Sequence, residues 1–416
     1  MSSTGISVIR IAEDYPTGGV PTYGLQPNFV YLSREQARMG LDVSVVARRH
    51  RGQPRQEEVG GVNVLRVDSP YNLNALGVVR RLREEKRAAV LHTHSTLGVA
   101  IVAFRRSLGL PVFAHVHGTS RSAFMPVKFD FQGLTQDFSS SKLWYYYFRE
   151  RFLWSRADGV LAVSRSVKSD LSSYYHIPAS RISVVYNGVD SSLFKPARFP
   201  SIPSLAVFQD RPIILYVGHF GPRKGIDQLI RAMEDVKKEV PEAALVCIGG
   251  VPSWLPKANY WARLKELVRA SGMEESVALL DKVPNSELPL YYSRASVFVL
   301  PSYYEAFAKV VVEAMACATP VVTPIEGGPA EAIADGENGL LYHYGKRSEL
   351  ARAIVSLLQD PPLARRMGIN ARDAVERNFT WARVAERVLA AYEARLGPNL
   401  SSSKQDRVRP VEAAAS

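Results

Sequence analysis

Apolar and polar positions alternate along the chain in two similar series, in the pattern of repeated βαβ units. Short apolar runs that end at glycine, proline or polar turns are separated by longer amphipathic segments. The pattern predicts an α/β fold with two Rossmann-like, doubly wound parallel sheets. The predicted strands are 6–12, 42–47, 62–67, 90–94, 112–117, 159–164 and 182–186 in the first series, and 212–217, 244–248, 277–280, 297–300 and a strand from 321 in the second.

A segment rich in proline and serine, residues 195–211, separates the two series and predicts a linker. We therefore expect a first domain over residues 1–200 and a second over 201–379. A helix over 380–396 is expected to pack back on the first domain. The polar residues 397–416 predict a disordered tail.

The stretch 297–323 predicts a strand, a turn and a helix at a place where ligands bind in such folds. Open α/β sheets bind ligands at the carboxyl ends of their strands, and the free N–H groups of a helix start favour phosphate. Glu305 on the turn and Glu313 on the helix are candidates to accept the hydroxyl groups of sugars on either side of a phosphate. The alternative is that Glu305 caps the helix and Glu313 is a solvated surface residue.

Two loops that contain glycine follow predicted strands and are candidates for phosphate binding. Gly18 and Gly19 follow the first strand without a G-x-G-x-x-G pattern, and a plain tight turn is the alternative. The loop 218–225 contains Arg223 and Lys224, whose charges suit a diphosphate. It lacks the Gly-Lys-Ser/Thr of a Walker A loop, and an ordinary basic loop is the alternative.

Four histidines lie near the ends of two successive predicted strands. His92 and His94 project to one face of their strand, and His115 and His117 do the same on the next one. Four imidazoles could bind a metal, but no acidic ligand or H-E-x-x-H pattern accompanies them, so we expect no metal site. We favour a polar ligand contact by His117, with His92 and His115 packed inside.

Residues 119–154 interrupt the alternation with a mixture of aromatic and basic side chains. This composition suits an acceptor cleft or a face that lies on a membrane surface. We favour the alternative in which the aromatic rings pack the segment onto its domain. A nucleic-acid surface has no supporting module signature here.

Composition narrows the class of protein. The 416 residues suit two or three domains, and the formal net charge of +12 favours anionic partners. Cys247 and Cys317 show no disulfide or zinc spacing, which fits a reducing compartment. No signal peptide or membrane-spanning window is apparent. We therefore expect a cytoplasmic protein, with peripheral contact on the inner membrane face as an alternative.

Taken together, the motifs resemble the retaining GT-B glycosyltransferases of family 4, the glycosyl transferases group 1. In chain order they are TGGV, HGT, AVSRSVKSDL, VVYNGVD, YVGHFGPRKG, PSYYEAFAKVVVEAMACATPVV with its Glu305-x7-Glu313 signature, and EGGPAEAIADGENGLL. The resemblance covers nearly the whole chain before Gly397. It implies two Rossmann-like domains that face a cleft. It also implies transfer of a sugar, with retention, from a UDP- or GDP-sugar to a hydroxyl acceptor, with no required metal or cofactor.

The resemblance further implies roles for individual residues. Glu305 would contact the donor sugar near the reacting carbon and His117 the transferred sugar, so these two are the catalytic candidates. Glu313 would hold the ribose hydroxyls of the nucleotide. The other donor-binding candidates are Gly18, Gly19, His219, Arg223, Lys224 and the backbone of Phe307, Ala308 and Val310.

Two positions depart from the family pattern. The family usually has Arg where this chain has His219, so either Arg223 compensates or donor affinity depends on pH. It usually has Gly where this chain has Ala308, whose β-carbon narrows the backbone geometry available for phosphate contacts.

We therefore predict a glycosyltransferase of cell-surface polysaccharide or glycolipid synthesis that acts on a glycan or a lipid-linked hydroxyl, with no nucleic-acid partner. A metal-dependent hydrolase that uses His92, His94, His115 and His117 is the alternative from another class. A catalytically silent GT-B scaffold is a third reading, and nucleic-acid binding through the net charge is the weakest. The sequence names neither the base, the sugar nor the acceptor.

Overall fold

The computed structural model describes residues 6–19, 26–69, 71–86, 89–94, 98–120, 140–197, 202–251 and 257–397, which form two sheets with helices on their faces. The first sheet holds β1 (Ser7–Ile11), β2 (Asp42–Arg48), β3 (Gln56–Val59), β4 (Val62–Val67), β5 (Ala89–His94), β6 (Val112–Val116), β7 (Gly159–Ala162) and β8 (Ile182–Val184). The second holds β9 (Ile213–Val217), β10 (Ala244–Ile248), β11 (Val277–Leu280), β12 (Val297–Val299), β13 (Val321–Pro324) and β14 (Leu340–Tyr342).

The helices connect and cover these strands. They are α1 (Gln26–Arg38), α2 (Tyr71–Glu85), α3 (Val99–Ala103), α4 (Arg105–Leu108), α5 (Ser140–Arg156), α6 (Arg165–Ser173), α7 (Ile226–Glu239), α8 (Lys257–Ala270), α9 (Leu288–Arg294), α10 (Lys309–Ala316), α11 (Arg347–Gln359), α12 (Pro361–Asn378) and α13 (Trp381–Leu396). Short 3-10 turns occur at Thr17–Gly19, Ala179–Arg181, Pro203–Phe208, Pro222–Lys224 and Pro329–Ala332. The α/β class predicted from the alternation is confirmed.

Strand order in the first sheet is β3-β4-β2-β1-β5-β6-β7-β8, and in the second it is β11-β10-β9-β12-β13-β14. Neighbouring strands run parallel except for the β3–β4 pair. In each sheet the order reverses once, between β1 and β5 and between β9 and β12. The loops that leave the carboxyl ends of these strands therefore open on a crevice, which is where a doubly wound sheet binds ligands.

The antiparallel strand β3 was missed by the sequence prediction. It forms a hairpin with β4 around Gly60 and Gly61, whose φ angles are 60° and 77°. Positive φ at both turn residues is the geometry of the tightest hairpins, and a Gly-Gly pair is a signal for it. The apolar pattern did not predict this strand, because its QEEV sequence lies at the sheet edge and contains no apolar run.

Helix α13 packs against the first sheet although it is the last helix described. Trp381 stacks on Tyr31 of α1, with ring centroids 5.9 Å apart. Tyr392 is fully buried and shares a hydrogen bond with His92 of β5. The apolar cluster around α1 and β2 thus includes side chains of α13. The division of the chain at residues 200 and 379 stays a prediction.

Two further findings concern the cysteines and the character of the helices. Cys247 and Cys317 are both buried and neither forms a disulfide. Among the described helices, none combines the length and apolar character needed to cross a bilayer. The predicted tail lies outside the described residues, apart from Gly397, as does most of the aromatic segment before α5.

Candidate functional site

The basic loop and the Glu305 turn meet because their strands are neighbours. Strand β9 leads into residues 218–225 and β12 leads into the turn, and the two strands pair in parallel with Phe298 opposite Leu215. Both loops therefore leave the same edge of the second sheet, at the point where its strand order reverses.

Two glycines fix this arrangement by letting backbone segments touch. Gly225 has φ +66°, and a β-carbon there would lie 2.1 Å from the carbonyl oxygen of Pro301. Gly328 donates its N–H to the carbonyl oxygen of Glu305 at 2.9 Å, and a β-carbon on it would lie 1.9 Å from the carbonyl oxygen of Ala306. The glycines of these motifs thus serve close backbone packing.

A hollow of about 460 Å³ opens where the two loops meet. Six of the predicted site residues line it: His219, Lys224, Glu305, Ala308, Val310 and Glu313. Pro27, near the start of α1, closes it from the side of the first sheet. The hollow is therefore shared by both halves of the molecule.

Lysines and glutamates are paired inside the hollow. The Lys224 ammonium forms an ion pair with the Glu305 carboxylate. Glu313 accepts a hydrogen bond from the hydroxyl of Tyr292 at 3.1 Å. Burial raises the pKa of Glu313, and the nearby positive charge of Lys309 opposes that shift. Burial also lowers the pKa of Lys309, so each charge in this second pair supports the ionised state of the other.

His219 does not carry the charge that an arginine would carry at its position. Burial lowers its pKa below 6.5, and the positive charges of Lys224 and Lys282 lower it further. The imidazole is therefore neutral at physiological pH, so the cationic character of the hollow comes from its lysines.

The amino end of helix α10 also faces the hollow. Ala308 occupies the capping position with φ −60° and ψ 105°, and it offers no side-chain acceptor to the N–H groups of the first turn. Those groups and the positive end of the helix dipole suit an anion. Since this φ suits any residue, the alanine is accommodated without backbone strain.

His117 directly follows β6 in the first sheet and is not among the residues that line the hollow. Its Nδ1 lies 3.0 Å from Nδ2 of Asn28 and its Nε2 lies 2.9 Å from Nδ1 of His94. Burial first, and then the charge of Lys309, lower the pKa of His117 to about 3. The ring is therefore neutral at neutral pH. A substrate could bind either ring nitrogen only by replacing Asn28 or His94.

The four histidines form a stacked cluster inside the first sheet. His94 lies parallel to His92 and His117, with ring centroids 4.7 and 5.2 Å apart. Candidate ligand nitrogens of His92, His94 and His115 fall within 4.8 Å of one another. Burial holds the pKa of each of these three well below 6.5. Neutral imidazole is the form that binds metals, but the buried guanidinium of Arg10 adds a positive charge that opposes a cation here.

Gly18 and Gly19 are not among the residues that line the hollow. Both have positive φ, 67° and 66°, in the turn after β1. Arg34 donates to the carbonyl oxygen of Gly18 at 3.2 Å, and a β-carbon on Gly19 would lie 2.6 Å from Nη2 of Arg34. Positive φ thus explains both glycines, close packing adds to it at Gly19 only, and their role in donor binding stays a prediction.

Two other predicted residues also fall outside the lining. The ring of Phe307 packs between Tyr186 and Phe379, with centroids 5.7 and 6.0 Å away, so only its backbone is near the site. Arg223 accepts the N–H of Tyr303 at 2.9 Å through its carbonyl oxygen. That bond ties the basic loop to the turn, and the expected compensation by its side chain stays a prediction.

Sequence reasoning missed three lining residues with polar side chains, Lys282, Asn285 and Lys309. Lys309 precedes Glu313 by four residues, a spacing that places the two on one helix face. Lys282 and Asn285 follow the carboxyl end of β11. The edge rule applied to the other loops would have found them as well.

The two halves also meet beside the hollow, at Glu331. Its carboxylate accepts the backbone N–H groups of Arg165 and Ser166 at 2.8 and 2.9 Å, at the start of α6. The hydroxyl of Tyr186 donates to it at 3.1 Å. This glutamate, in the 3-10 turn at Pro329–Ala332, therefore adds to the capping of α6 by Ser164, whose hydroxyl accepts the N–H of Val167.

Two family profiles cover most of the chain. The family described as Glycosyltransferase Family 4 matches residues 24–193, and the one described as Glycosyl transferases group 1 matches residues 198–374. The chain is 35% identical over 257 residues to alpha-maltose-1-phosphate synthase of Mycolicibacterium smegmatis, which covers 58% of this chain and 65% of that protein. Across the first five curated relatives, the matches span 55% to 65% of the relative's length.

Solved structures share the fold. Sucrose-phosphate synthase from Thermosynechococcus elongatus superposes with a TM-score of 0.75 at 24% identity, over 94% of this chain and 99% of that one. Anabaena Alr3699/HepE, solved in complex with UDP, gives a TM-score of 0.69 at 18% identity, over 94% and 100% of the two chains. The GT-B architecture expected from the motifs is confirmed.

Proposed function

The chain belongs to the group 1, family 4 glycosyltransferases of GT-B fold, and from this premise we propose that it transfers a sugar from a nucleotide-diphospho-sugar to a hydroxyl group with retention. One observation carries the proposal. Lys224, Glu305 and Glu313 line a single hollow between the two sheets, beside the uncapped start of α10. A sugar nucleotide needs a cationic centre flanked by hydroxyl acceptors, and this hollow offers both.

The diphosphate would lie against the lysines and the helix start. Lys224, Lys282 and Lys309 all line the hollow. As the bond to the sugar breaks, negative charge accumulates on the leaving phosphate. Fixed cations and N–H groups stabilise that charge without reorganising, which is commonly the largest contribution to catalysis.

The glutamates would bind the two ends of the donor. Without ligand, Glu305 is neutralised by Lys224. When the diphosphate binds Lys224, the Glu305 carboxylate becomes free to accept sugar hydroxyls near the reacting carbon. Glu313, fixed by Tyr292, would accept the ribose hydroxyls. The acceptor proton would pass to the leaving phosphate oxygen, because His117 has both ring nitrogens engaged.

A ligand screen would identify the nucleotide base of the donor and the acceptor. UDP-sugars and GDP-sugars are both candidate donors, because HepE was solved with UDP and a relative that is 32% identical is named as GDP-mannose-dependent. The relative named alpha-maltose-1-phosphate synthase suggests that sugar phosphates belong in the acceptor screen. Glycans and lipid-linked hydroxyls complete the set of acceptors.

Thermal stabilisation is the first test. A ligand that binds only the folded protein raises the melting temperature, so UDP, GDP and their sugars are compared at equal concentration. We expect one nucleotide series to stabilise the wild type and to lose its effect in Lys224→Met. NMR of the anomeric proton then reports whether an α-linked donor yields an α-linked product. Failure of every nucleotide sugar to bind, or an inverted product, would contradict the proposal.

A metal-dependent hydrolase is the second candidate, because the nitrogens of His92, His94 and His115 lie within 4.8 Å of one another. Elemental analysis of the purified protein separates the two functions. One zinc per chain, lost with activity on chelation, would favour the hydrolase. Activity that survives chelation favours the transferase.

A further inference from the structure

Helix α5 carries a group of aromatic side chains that face solvent. Trp144, Tyr145 and Phe148 are 58%, 61% and 61% exposed. Trp144 stacks on Phe148, one helical turn away, with ring centroids 5.7 Å apart. Monomeric soluble proteins rarely leave such rings clustered at the surface unless the patch binds something.

The opposite side of the same helix is ordinary core. Trp154 and Leu153 are fully buried, and Tyr147 packs against Tyr174 and Tyr175 at 5.1 and 5.3 Å. Within the part of α5 whose side chains are described, the expectation that the aromatic rings pack the segment onto its domain therefore holds for this side and not for the outer one. The outer aromatic side chains make no comparable contribution to the core.

The charged side chains of α5 are also divided between its buried and its exposed face. Its one acidic residue, Glu150, is buried and accepts hydrogen bonds from Ser120 and Tyr175. Arg156 is exposed with its guanidinium 3.7 Å from the ring centroid of Phe152. Arg149 lies over the ring of Tyr145 at 5.6 Å. The outward charge of the described helix is thus positive.

We propose that the outer face of α5 docks on an anionic lipid surface. Tryptophan and tyrosine settle at the boundary between head groups and acyl chains, and basic residues beside them are attracted to anionic head groups. An amphipathic helix whose exposed aromatic side chains are followed by Arg149 and Arg156 meets both conditions without crossing the bilayer. The net charge of +12 attracts the whole molecule to such a surface.

Vesicle co-sedimentation tests this docking without any sugar substrate, so its outcome is independent of the proposed transfer reaction. Vesicles of phosphatidylcholine alone are compared with an equal mixture of phosphatidylcholine and phosphatidylglycerol. The wild type is expected to bind the mixed vesicles at least about tenfold more strongly, and less so at high salt. The double variant Trp144→Ser/Phe148→Ser should lose about tenfold in affinity for the mixed vesicles.

Leu73→Ser is the matched control, because Leu73 is 65% exposed on α2 and lies outside the patch. It should bind vesicles as the wild type does. Tryptophan fluorescence gives a second readout, since a blue shift on vesicle addition should vanish in Trp144→Phe while binding persists. Unchanged sedimentation of the double variant would overturn the proposal. So would self-association of the wild type in the ultracentrifuge that the double variant abolishes, since the face would then bind a second copy.

Discussion

The ammonium group of Lys224 is paired with the carboxylate of Glu305, although 81 residues separate them in the chain. Their side chains are only 21% and 18% exposed, so each partly desolvated charge depends on the other. An anionic ligand that binds Lys224 takes over this pairing and releases Glu305. In the ligand-free protein, Glu305 therefore takes the place beside Lys224 that the anionic ligand takes in the complex that we propose.

Replacing Glu305 by Gln keeps the shape of the side chain but removes its charge. We expect kcat to fall by about 100- to 1,000-fold, because a group aimed at the reacting centre acts mainly in the transition state. Steady-state kinetics with the nucleotide sugar found in the screen measures the change. Glu84→Gln, on the exposed side of α2, is the control and should keep full activity. Full activity of Glu305→Gln would reject the catalytic role and, if a partner-binding function persisted, would favour the silent scaffold.

Glu313→Gln addresses the nucleotide end of the donor. We expect KM for the donor to rise by about 10- to 100-fold with a smaller change in kcat, since a lost charged hydrogen bond weakens binding by about 1.5–3 kcal/mol. The wild type should also prefer a nucleoside diphosphate over its 2′,3′-dideoxy form. Calorimetry on both proteins should find this preference nearly absent in the variant. An unchanged preference would mean that the ribose lies elsewhere.

Donor affinity should respond to pH through His219 only in the acidic range. The pKa of this imidazole is lowered below 6.5, mainly by burial, so it gains a proton only below that value. We expect donor Kd to be insensitive to His219 between about pH 7 and 9. His219→Arg restores a permanent charge and should keep or raise activity at alkaline pH. A large loss of activity in that variant would reject the assignment of the loop.

The histidine cluster predicts acid lability. His92, His94, His115 and His117 are held neutral in the folded protein by burial, whereas the unfolded chain binds protons near pH 6.5. Because the unfolded state then holds more protons, their contribution to stability is complete above that pH and is lost as pH falls below it. Each histidine contributes a slope of up to about 1.4 kcal/mol per pH unit.

The variant His115→Leu isolates one member of the cluster. Urea unfolding between about pH 5 and 6.5 should show a pH slope reduced by about one proton relative to the wild type. His343→Leu is the control, because this histidine is exposed at the end of β14. Equal slopes in wild type and His115→Leu would mean that His115 binds a proton as readily in the folded protein as in the unfolded chain.

Closure of the cleft should depend on Glu331. Its carboxylate caps α6 from the other half of the molecule through the N–H groups of Arg165 and Ser166. Glu331→Ala removes this link, so we expect a larger radius of gyration in X-ray scattering and a loss of about tenfold in kcat/KM. Glu337→Ala, nearby but without those two bonds, is the control. An unchanged radius with unchanged kinetics would make Glu331 a local cap only.

The sequence predicted the described strands except β3 and β14, and six of the residues that line the hollow, for a clear reason. The apolar runs predict where each strand ends, and these ends form one edge of the sheet. Lys224, Glu305 and Glu313 come after such strand ends in the chain, so the sequence places them at that edge. The sequence could not reveal which partner each ring nitrogen of His117 contacts. The engagement of His117 by Asn28 and His94 depends on packing between distant segments, as does the division of α5 into a buried and an exposed face.

The return of α13 to the first sheet has a consequence for synthesis on the ribosome. The buried ring of Tyr392 completes packing around His92, 300 residues earlier in the chain. In the nascent chain, that part of the amino-terminal half therefore stays uncovered until α13 has left the ribosome. Premature termination before residue 381 would release a product that lacks this cover, and such a product is a natural client for chaperones and proteases.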